Sequence, residues 1–530
     1  MAKTSQDPAT VCAEHIALSS FFYQVPAPVV RNEINQSSVE QGNYVLPFSK
    51  ERGLTEVLAF LAKTKDGWDH IPAVCVEQNS PGTNLNVILA INKRTYADGD
   101  DLLQKMKSRF EEIFHVLHDS KYEVVEKSEV QREIFASVIS MCSPRVLCRL
   151  RLERKANKRP VQDLLQEAIF SIRRIDSQKL HGKGLSLTSS SFISEANKVI
   201  QLVDRWMRHQ NSDELGDLVE GIHHLQQTAP RFYDLLDLIS NHDMDPCSRS
   251  SLLNIIRKVS RYWGAAGQLY RTAKEFPLVR NMKIQLASLP QKAFESQTNS
   301  SELSELSSCL SRHGFAKGQK HSLSQLCRNL RIDEKAAQAR YEGAQKALSA
   351  PKIHAEIQII AFCELQALNL FPRVVSSSKD ACFLCNTFIQ LYERMHTPRA
   401  HNRLYPGWRL PSLPQFRVIQ QRLNKSLIES LQHNVSLGLA QGKLSVHPCP
   451  NESNILTSSA SGTTMSMPEP VSESPEGHIS SIAPSSFTLS DDPPKCGPSL
   501  SISRLSSNET ASGNSIDTVY LLEGEPVYNF

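Results

Sequence analysis

The stretch His354-Ala-Glu356, joined downstream by Cys382-Phe-Leu-Cys385, decides how this chain is read. One imidazole and two thiols offer three ligands of the kind zinc prefers, and the glutamate is not needed as a fourth. Structural zinc is closed by four protein ligands, whereas catalytic zinc keeps one position open. Three ligands and a spare carboxylate therefore point to a reactive metal site. The plainer readings are a redox Cys-x-x-Cys, or buried thiols in a chain that holds 12 cysteines. Neither accounts for a His-x-Glu at the head of its own apolar run.

The surroundings support this. Ser349-Ala-Pro351 breaks a preceding helix, and Ile357, Ile360, Ala361, Leu365 and Leu368 then follow at helical spacing. Pro372 ends that run, and Arg373-Val-Val-Ser-Ser-Ser378 has the composition of a short strand. A second helix is predicted from about Ala381, carrying Phe388, Leu391 and Tyr392. Both ligand sets then lie at helix N-termini, where unpaired N–H groups and the dipole favour a thiolate. Cys382 and Cys385, three apart on one turn, can grip the same ion.

The pattern H-x-E…C-x-x-C is the signature of zinc-dependent base deaminases. A wider block carries a closer likeness: His354-Ala-Glu-Ile-Gln358, Ser378-Lys-Asp-Ala-Cys-Phe-Leu-Cys385, His396-Thr-Pro-Arg399 and Arg403-Leu-Tyr-Pro-Gly-Trp408. It resembles the OTT-type deaminase-like proteins abundant in filamentous fungi, a branch of the cytidine deaminase-like superfamily, over about residues 351–411. The resemblance implies an α/β fold, a three-layer α/β/α sandwich with a mixed sheet. It implies Zn2+ on His354, Cys382 and Cys385, and Glu356 as proton shuttle while water activated at the metal attacks an amino-bearing ring carbon. The resemblance leaves the substrate undefined, and the enzymatic reading takes a nucleobase, nucleoside, nucleotide or nucleic-acid base. One departure is Ala381, where the superfamily has proline. Proline pre-sets the first helical position, so alanine is expected to loosen the turn without removing a ligand. The other functional class is a catalytically silent binding or regulatory protein with structural zinc. Glu356 argues against it; Ala381 and a large helical addition argue for it.

A deaminase core needs a β-hairpin before the His-x-Glu helix, and immediately upstream there is only helix and breaker. Much earlier, an amphipathic helix at 54–63 precedes Ile71-Pro-Ala-Val-Cys-Val-Glu77, a turn at Asn79-Ser-Pro-Gly82 and Leu85-Asn-Val-Ile-Leu-Ala-Ile-Asn92. Two apolar runs about such a turn predict a hairpin. Our expectation is that it supplies the first strands of the sheet, with Asn92 facing the pocket as a ribose contact. The alternative is an independent N-terminal domain, in which Asn92 merely ends a strand. Met282-Lys-Ile-Gln-Leu-Ala287 competes for a place in the sheet.

From Asp100 to about Phe276 the pattern is helical, with stripes at Leu102, Met106, Phe110, Ile113, Phe114 and Leu117 and at Leu164, Leu165, Ala168, Ile169 and Ile172. Further helices are expected over 192–209, 213–240 and 249–274. Two basic stretches lie within: Arg145, Arg149, Arg151, Arg154, Lys155, Lys158 and Arg159, and then Arg257, Lys258, Arg261, Arg271 and Lys274 among Tyr262, Trp263 and Tyr270. Cations beside aromatics can track phosphates and stack bases. The net charge of +4 over 530 residues does not make a broad field, so nucleic acid stays open but disfavoured. The breaker-rich loop after the second ligand helix is read as a substrate wall, with Arg399, His401, Arg403 and Tyr405 as substrate contacts and Trp408 as a core anchor. His396 or His401 is the alternative fourth zinc ligand, which would close the site.

A hydrophobic content of 40% suffices for a core. No apolar run reaches the ~18 residues of a membrane span, the first residues lack a signal-peptide core, and scattered cysteines fit a reducing compartment. Cytoplasm or nucleus is the expected location, and nothing sets the oligomeric state. The expected division is an N-terminal segment (1–50), helix and hairpin (51–96), helical insertion (97–280), connecting strand and helices (281–350), zinc-binding core (351–440) with a helix over 416–437, and a Ser/Pro-rich, mostly disordered tail (441–530) ending in two strand-like runs.

Overall fold

The computed structural model describes residues 7–450, apart from 34–42, 68, 80–81, 121, 123–125, 154–157, 229–230, 296–303, 316–322, 367 and 369. The expected terminal strands, the tail from 451 onward, and Arg154 and Lys155 lie outside the described residues.

Helix α1 (Pro8–Phe22) begins with proline at its first turn and with Asp7 accepting the Ala9 N–H. Its residues from Cys12 to Phe22 are buried on every side, so it has no amphipathic period by which the sequence could announce it. Strand β1 (Val30–Arg31) and helix α2 (Phe48–Ala62) follow. Strands β2 (Pro72–Gln78) and β3 (Leu85–Ile91) then form the hairpin, with Asn79 Oδ1 accepting the N–H groups of Thr83 and Asn84 at the turn.

Among the described residues, every element between β3 and β4 is helical: α3 (Asp100–Asp119), α4 (Lys127–Leu150), α5 (Val161–Arg173), α6 (Ser177–Gly182), α7 (Ser186–His209), α8 (Ser212–Thr228), α9 (Phe232–Asp237) and α10 (Pro246–Glu275). The single helix expected over 213–240 is two, and Pro230 falls between them in sequence. Strand β4 (Met282–Leu286) leads to α11 (Leu306–Arg312), α12 (Leu323–Leu330) and α13 (Glu334–Leu348). The last stretch holds α14 (Ala355–Gln366), β5 (Val375–Ser377), α15 (Phe383–Tyr392), β6 (Arg399–Ala400) and α16 (Arg417–Gln441).

The main sheet has the order β4-β3-β2-β5 and is mixed: β2 pairs antiparallel with both β3 and β5, while β4 lies parallel to β3. Residues 72–91 and 375–377 therefore share one sheet, with Ala73 opposite Ser377 and Cys75 opposite Val375. The candidate strand at 282–286 takes the edge beside β3 rather than displacing the hairpin. A separate two-stranded ribbon joins β1 to β6.

Strand alternation sends side chains to two different cores. Val74, Val76, Val87, Leu89 and Ile91 enter a core shared with α2 and with the helices between β3 and β4. Ala73, Cys75, Ile88 and Ala90 face α14 and α15, meeting Ile357, Ile360, Ala361, Leu384 and Phe388. Three of those four sheet residues are small, which lets the ligand-bearing helices approach closely. A third core gathers α1, α11, α12, α13 and α16. The molecule is mixed α/β with helices dominant, and no described helix is long and apolar enough to cross a membrane.

Candidate metal centre

His354 stands just before α14, and Cys382 is the N-cap of α15, its sulfur accepting the Cys385 N–H at 3.4 Å. His354 Nδ1 lies 3.6 Å from Cys382 Sγ and 3.4 Å from Cys385 Sγ. A tetrahedral zinc with ordinary Zn–S and Zn–N bonds would hold sulfur and nitrogen about 3.6 Å apart, so the ligand atoms already have metal spacing. Their group, all within 4.8 Å of one another, holds His354, Cys382 and Cys385 and leaves out Glu356, His396 and His401.

Electrostatics mark the same three residues. Burial would raise the Cys382 thiol, yet hydrogen bonding with Cys385 and the adjacent His354 hold it well below the ordinary thiol range. The Cys385 thiol is pushed well above that range by burial and by Cys382. Burial opposes the charged form of His354, but Cys382 and then Glu356 raise its pKa. The centre thus stabilises a thiolate without help, which is the form a metal needs.

The backbone around His354 is stitched from four directions. Lys93 and Ile353 exchange backbone hydrogen bonds, extending β3 to the ligand. Asn92 Oδ1 accepts the Ala355 N–H at 2.8 Å, and Gln358 Nε2 donates to the carbonyls of Ile91 and Ile353. Lys352 pairs its backbone with Gly407 and Arg409, bringing the loop after α15 alongside. Asn92 is 7% exposed and its oxygen caps the ligand helix.

Glu356 is 4% exposed, and its Oε2 lies 3.7 Å from Cys385 Sγ, beside the ligands but not among them. Tyr405 follows, with its ring centroid 6.2 Å from that of His354, and His401 meets Tyr405 edge-on at 5.8 Å. His401 is buried and its Nδ1 accepts the Arg403 N–H. His396 sits instead against Phe48. Arg403 is exposed, with its guanidinium 5.6 Å from the Tyr405 ring centroid. Arg399 pairs with Asp380, two residues before Cys382, at 3.3 Å. Trp408 is fully buried in the core beneath the ligands, as its anchor reading expects.

Sequence reasoning missed several supports. Asp380 gave no local signal as the partner of Arg399. Asn32, Asn386 and Asn402 form an amide relay that ties the loop after α15 to residues 28–32, with Asn32 donating to Asn386 and Asn402 donating to the Pro28 carbonyl. Asn402 takes a φ of 55°, a left-handed conformation asparagine tolerates. Ala381 corrects an expectation. Its N–H donates to the Arg399 carbonyl at 3.0 Å and its own carbonyl accepts from His401, so the turn is pinned rather than loosened. Proline has no N–H and could not make the first of these bonds.

The two basic stretches converge: Arg149 donates to the Lys258 carbonyl and the Tyr262 hydroxyl, and Arg149 and Arg261 both lie against the Phe60 ring. Tyr262 and Tyr270 are buried in the core and present no exposed ring for a base to stack on.

Comparison with known proteins bears on the same segment. No curated protein and no solved structure matches the chain. Residues 353–412, which run from the residue before His354 through the pinned loop to Ser412, match the model of the OTT_1508_deam-like deaminase family.

Proposed function

We propose that this protein is a zinc-dependent hydrolytic deaminase acting on a nucleobase, free or within a nucleoside, nucleotide or nucleic acid. The observation that carries the reading is a three-ligand cluster with a buried carboxylate beside it and outside it. In this reading the sheet, with α14 and α15 on one face and helices on the other, is a three-layer deaminase sandwich, and residues 97–280 are an insertion in it. Residues 51–96 and 351–440 are its two separated parts.

Zinc would be held by His354, Cys382 and Cys385, and when bound it supplies a Lewis acid that makes water acidic near neutral pH. Glu356 takes a proton from the water that adds to the amino-bearing carbon, gives it to the ring nitrogen, and then delivers a proton to the departing ammonia. Water and amine become carbonyl and ammonia, and the carboxylate ends as it began. Tyr405 forms the aromatic wall beside His354 with buried His401 packed behind it, and exposed Arg403 brings positive charge to the rim. Burial of Tyr262 and Tyr270 favours a small substrate over a nucleic-acid strand.

The test is a mass-shift screen for amine-to-carbonyl exchange over bases, nucleosides, nucleotides and oligonucleotides, run beside Glu356→Gln. Turnover in the wild type with a loss of ~10²–10⁴-fold or more in the variant is expected of a general acid–base. Zinc content must be equal in both. Loss of zinc from Glu356→Gln would make Glu356 a ligand and the site structural, and full turnover in that variant would remove the mechanism.

A further inference from the structure

We propose that Glu14, Cys309 and His313 form a second metal site suited to zinc, with His15 packed beside it. The ligand atoms of Glu14, Cys309 and His313 lie within 4.8 Å of one another. They come from two elements that the chain separates widely. Helix α1 supplies Glu14 and His15 in succession, while Cys309 and His313 stand four apart on α11 and its C-cap. Residues at that spacing project from one side of a helix, and the His313 N–H donates to the Cys309 carbonyl, so the turn between them is helical.

Two orphaned atoms point to a missing ligand. Among the described residues, His15 Nδ1 and His313 Nε2 are buried with no hydrogen-bond partner. Their rings meet edge to face with centroids 4.8 Å apart. Glu14, His15 and Cys309 are 1%, 4% and 0% exposed, so water does not serve these groups at the surface. Buried polar groups without partners are rare because each carries its full desolvation cost, and a metal ion would engage the cluster at once.

The donor set selects the ion. One thiol, one imidazole and a carboxylate suit zinc, whereas calcium and magnesium call for oxygen. Glu14 accepts hydrogen bonds from Ser304 Oγ at 2.6 Å and from Arg312 at 2.5 Å. Ligating carboxylates are commonly held by such outer partners, and Arg312 would orient Glu14 rather than compete for it. On binding, the Cys309 thiol releases its proton to solvent and the metal takes its place, with no electron transferred. The site would fasten residues 304–315 to α1 in the third core and shares no residue with His354, Cys382 and Cys385.

Metal analysis of the full chain, purified without chelators, tests this. Two zinc ions per chain are expected. Cys309→Ser and Cys385→Ala should each leave one, and the double variant none. His313→Gln, which preserves size and polarity, should also leave one and keeps the test open if Cys309→Ser does not fold. Cobalt substitution adds a second readout: thiolate-to-cobalt absorption should persist in Cys385→Ala and vanish when Cys309→Ser is added. A wild type with one zinc that Cys385→Ala removes would overturn the second site and leave the deaminase reading intact. One zinc removed by Cys309→Ser and untouched by Cys385→Ala would do the reverse.

Discussion

Asn92 and Ala381 act through backbone groups that their neighbours need. Asn92 is the acceptor for the first N–H of α14, the helix that begins one residue after His354. Asn92→Ala should cost about 1–2 kcal/mol as a lost helix cap and weaken metal binding through misplacement of His354. Asn92→Asp keeps the acceptor and should recover most of both. Chemical unfolding and competitive chelation read the two effects, and unchanged values in Asn92→Ala would dismiss the capping role. Ala381→Pro would pre-set the backbone before Cys382, yet it removes the donor to the Arg399 carbonyl. A lost buried hydrogen bond costs about 1–3 kcal/mol, so this variant should be less stable than the wild type. A gain in stability would show that the pre-set proline backbone outweighs the bond. The ligands themselves were legible because each set is local, within three residues. The residues that hold them were not. Asn92 and Asn32 act across the fold, and no spacing in the sequence reveals a partner hundreds of positions away.

At the level of elements, the two faces of the hairpin respond differently to the same kind of change. Ala90 lies under α14, so Ala90→Leu should overpack the ligand helix at a cost of about 1–3 kcal/mol and lower zinc occupancy with it. Leu89 faces the other core, and Leu89→Ala should cost about 2–5 kcal/mol through a cavity while occupancy in the folded fraction is kept. Equal effects on zinc from both would refute the separation of the faces. Contact between α8 and α10 sets an acid limit. His223 lies against Ser260, its Nδ1 2.9 Å from the hydroxyl, and burial, then His224, lower its pKa to about 4 from the ordinary 6.5. The folded state thus prefers the neutral ring. That preference is fully present above pH 6.5 and is lost as pH falls towards 4. The urea midpoint should drop between pH 7 and pH 5, and His223→Gln should shrink the drop; an undiminished drop would assign it to other groups. The hairpin and the long helices were readable because alternation and helical periodicity survive in one-sided elements. Helix α1, buried all round, has no such pattern, and strands of two residues such as β1 and β6 are too short to carry one.

For the whole molecule, the helices between β3 and β4 are not an appendage. They share one core with a complete face of the sheet, and a chain in which residues 97–280 are replaced by a short linker would expose Val74, Val76, Val87 and Leu89 together. It should be insoluble, and recovery of a soluble, zinc-loaded shortened protein would show the helices to be a separate module. The order of the strands along the chain also sets a timetable. Strand β2 is complete by Gln78, but its neighbour β5 begins at Val375, and Ala73 meets Ser377 only after 304 further residues. At ribosomal speeds of ~5–20 residues per second the wait is ~15–60 s. Through that interval one edge of β2 has no partner, and the apolar strands beside it are an invitation to pair with another chain. The vulnerable period of a chain arranged this way is its birth, and the sheet face that packs under α14 and α15 is the last to close.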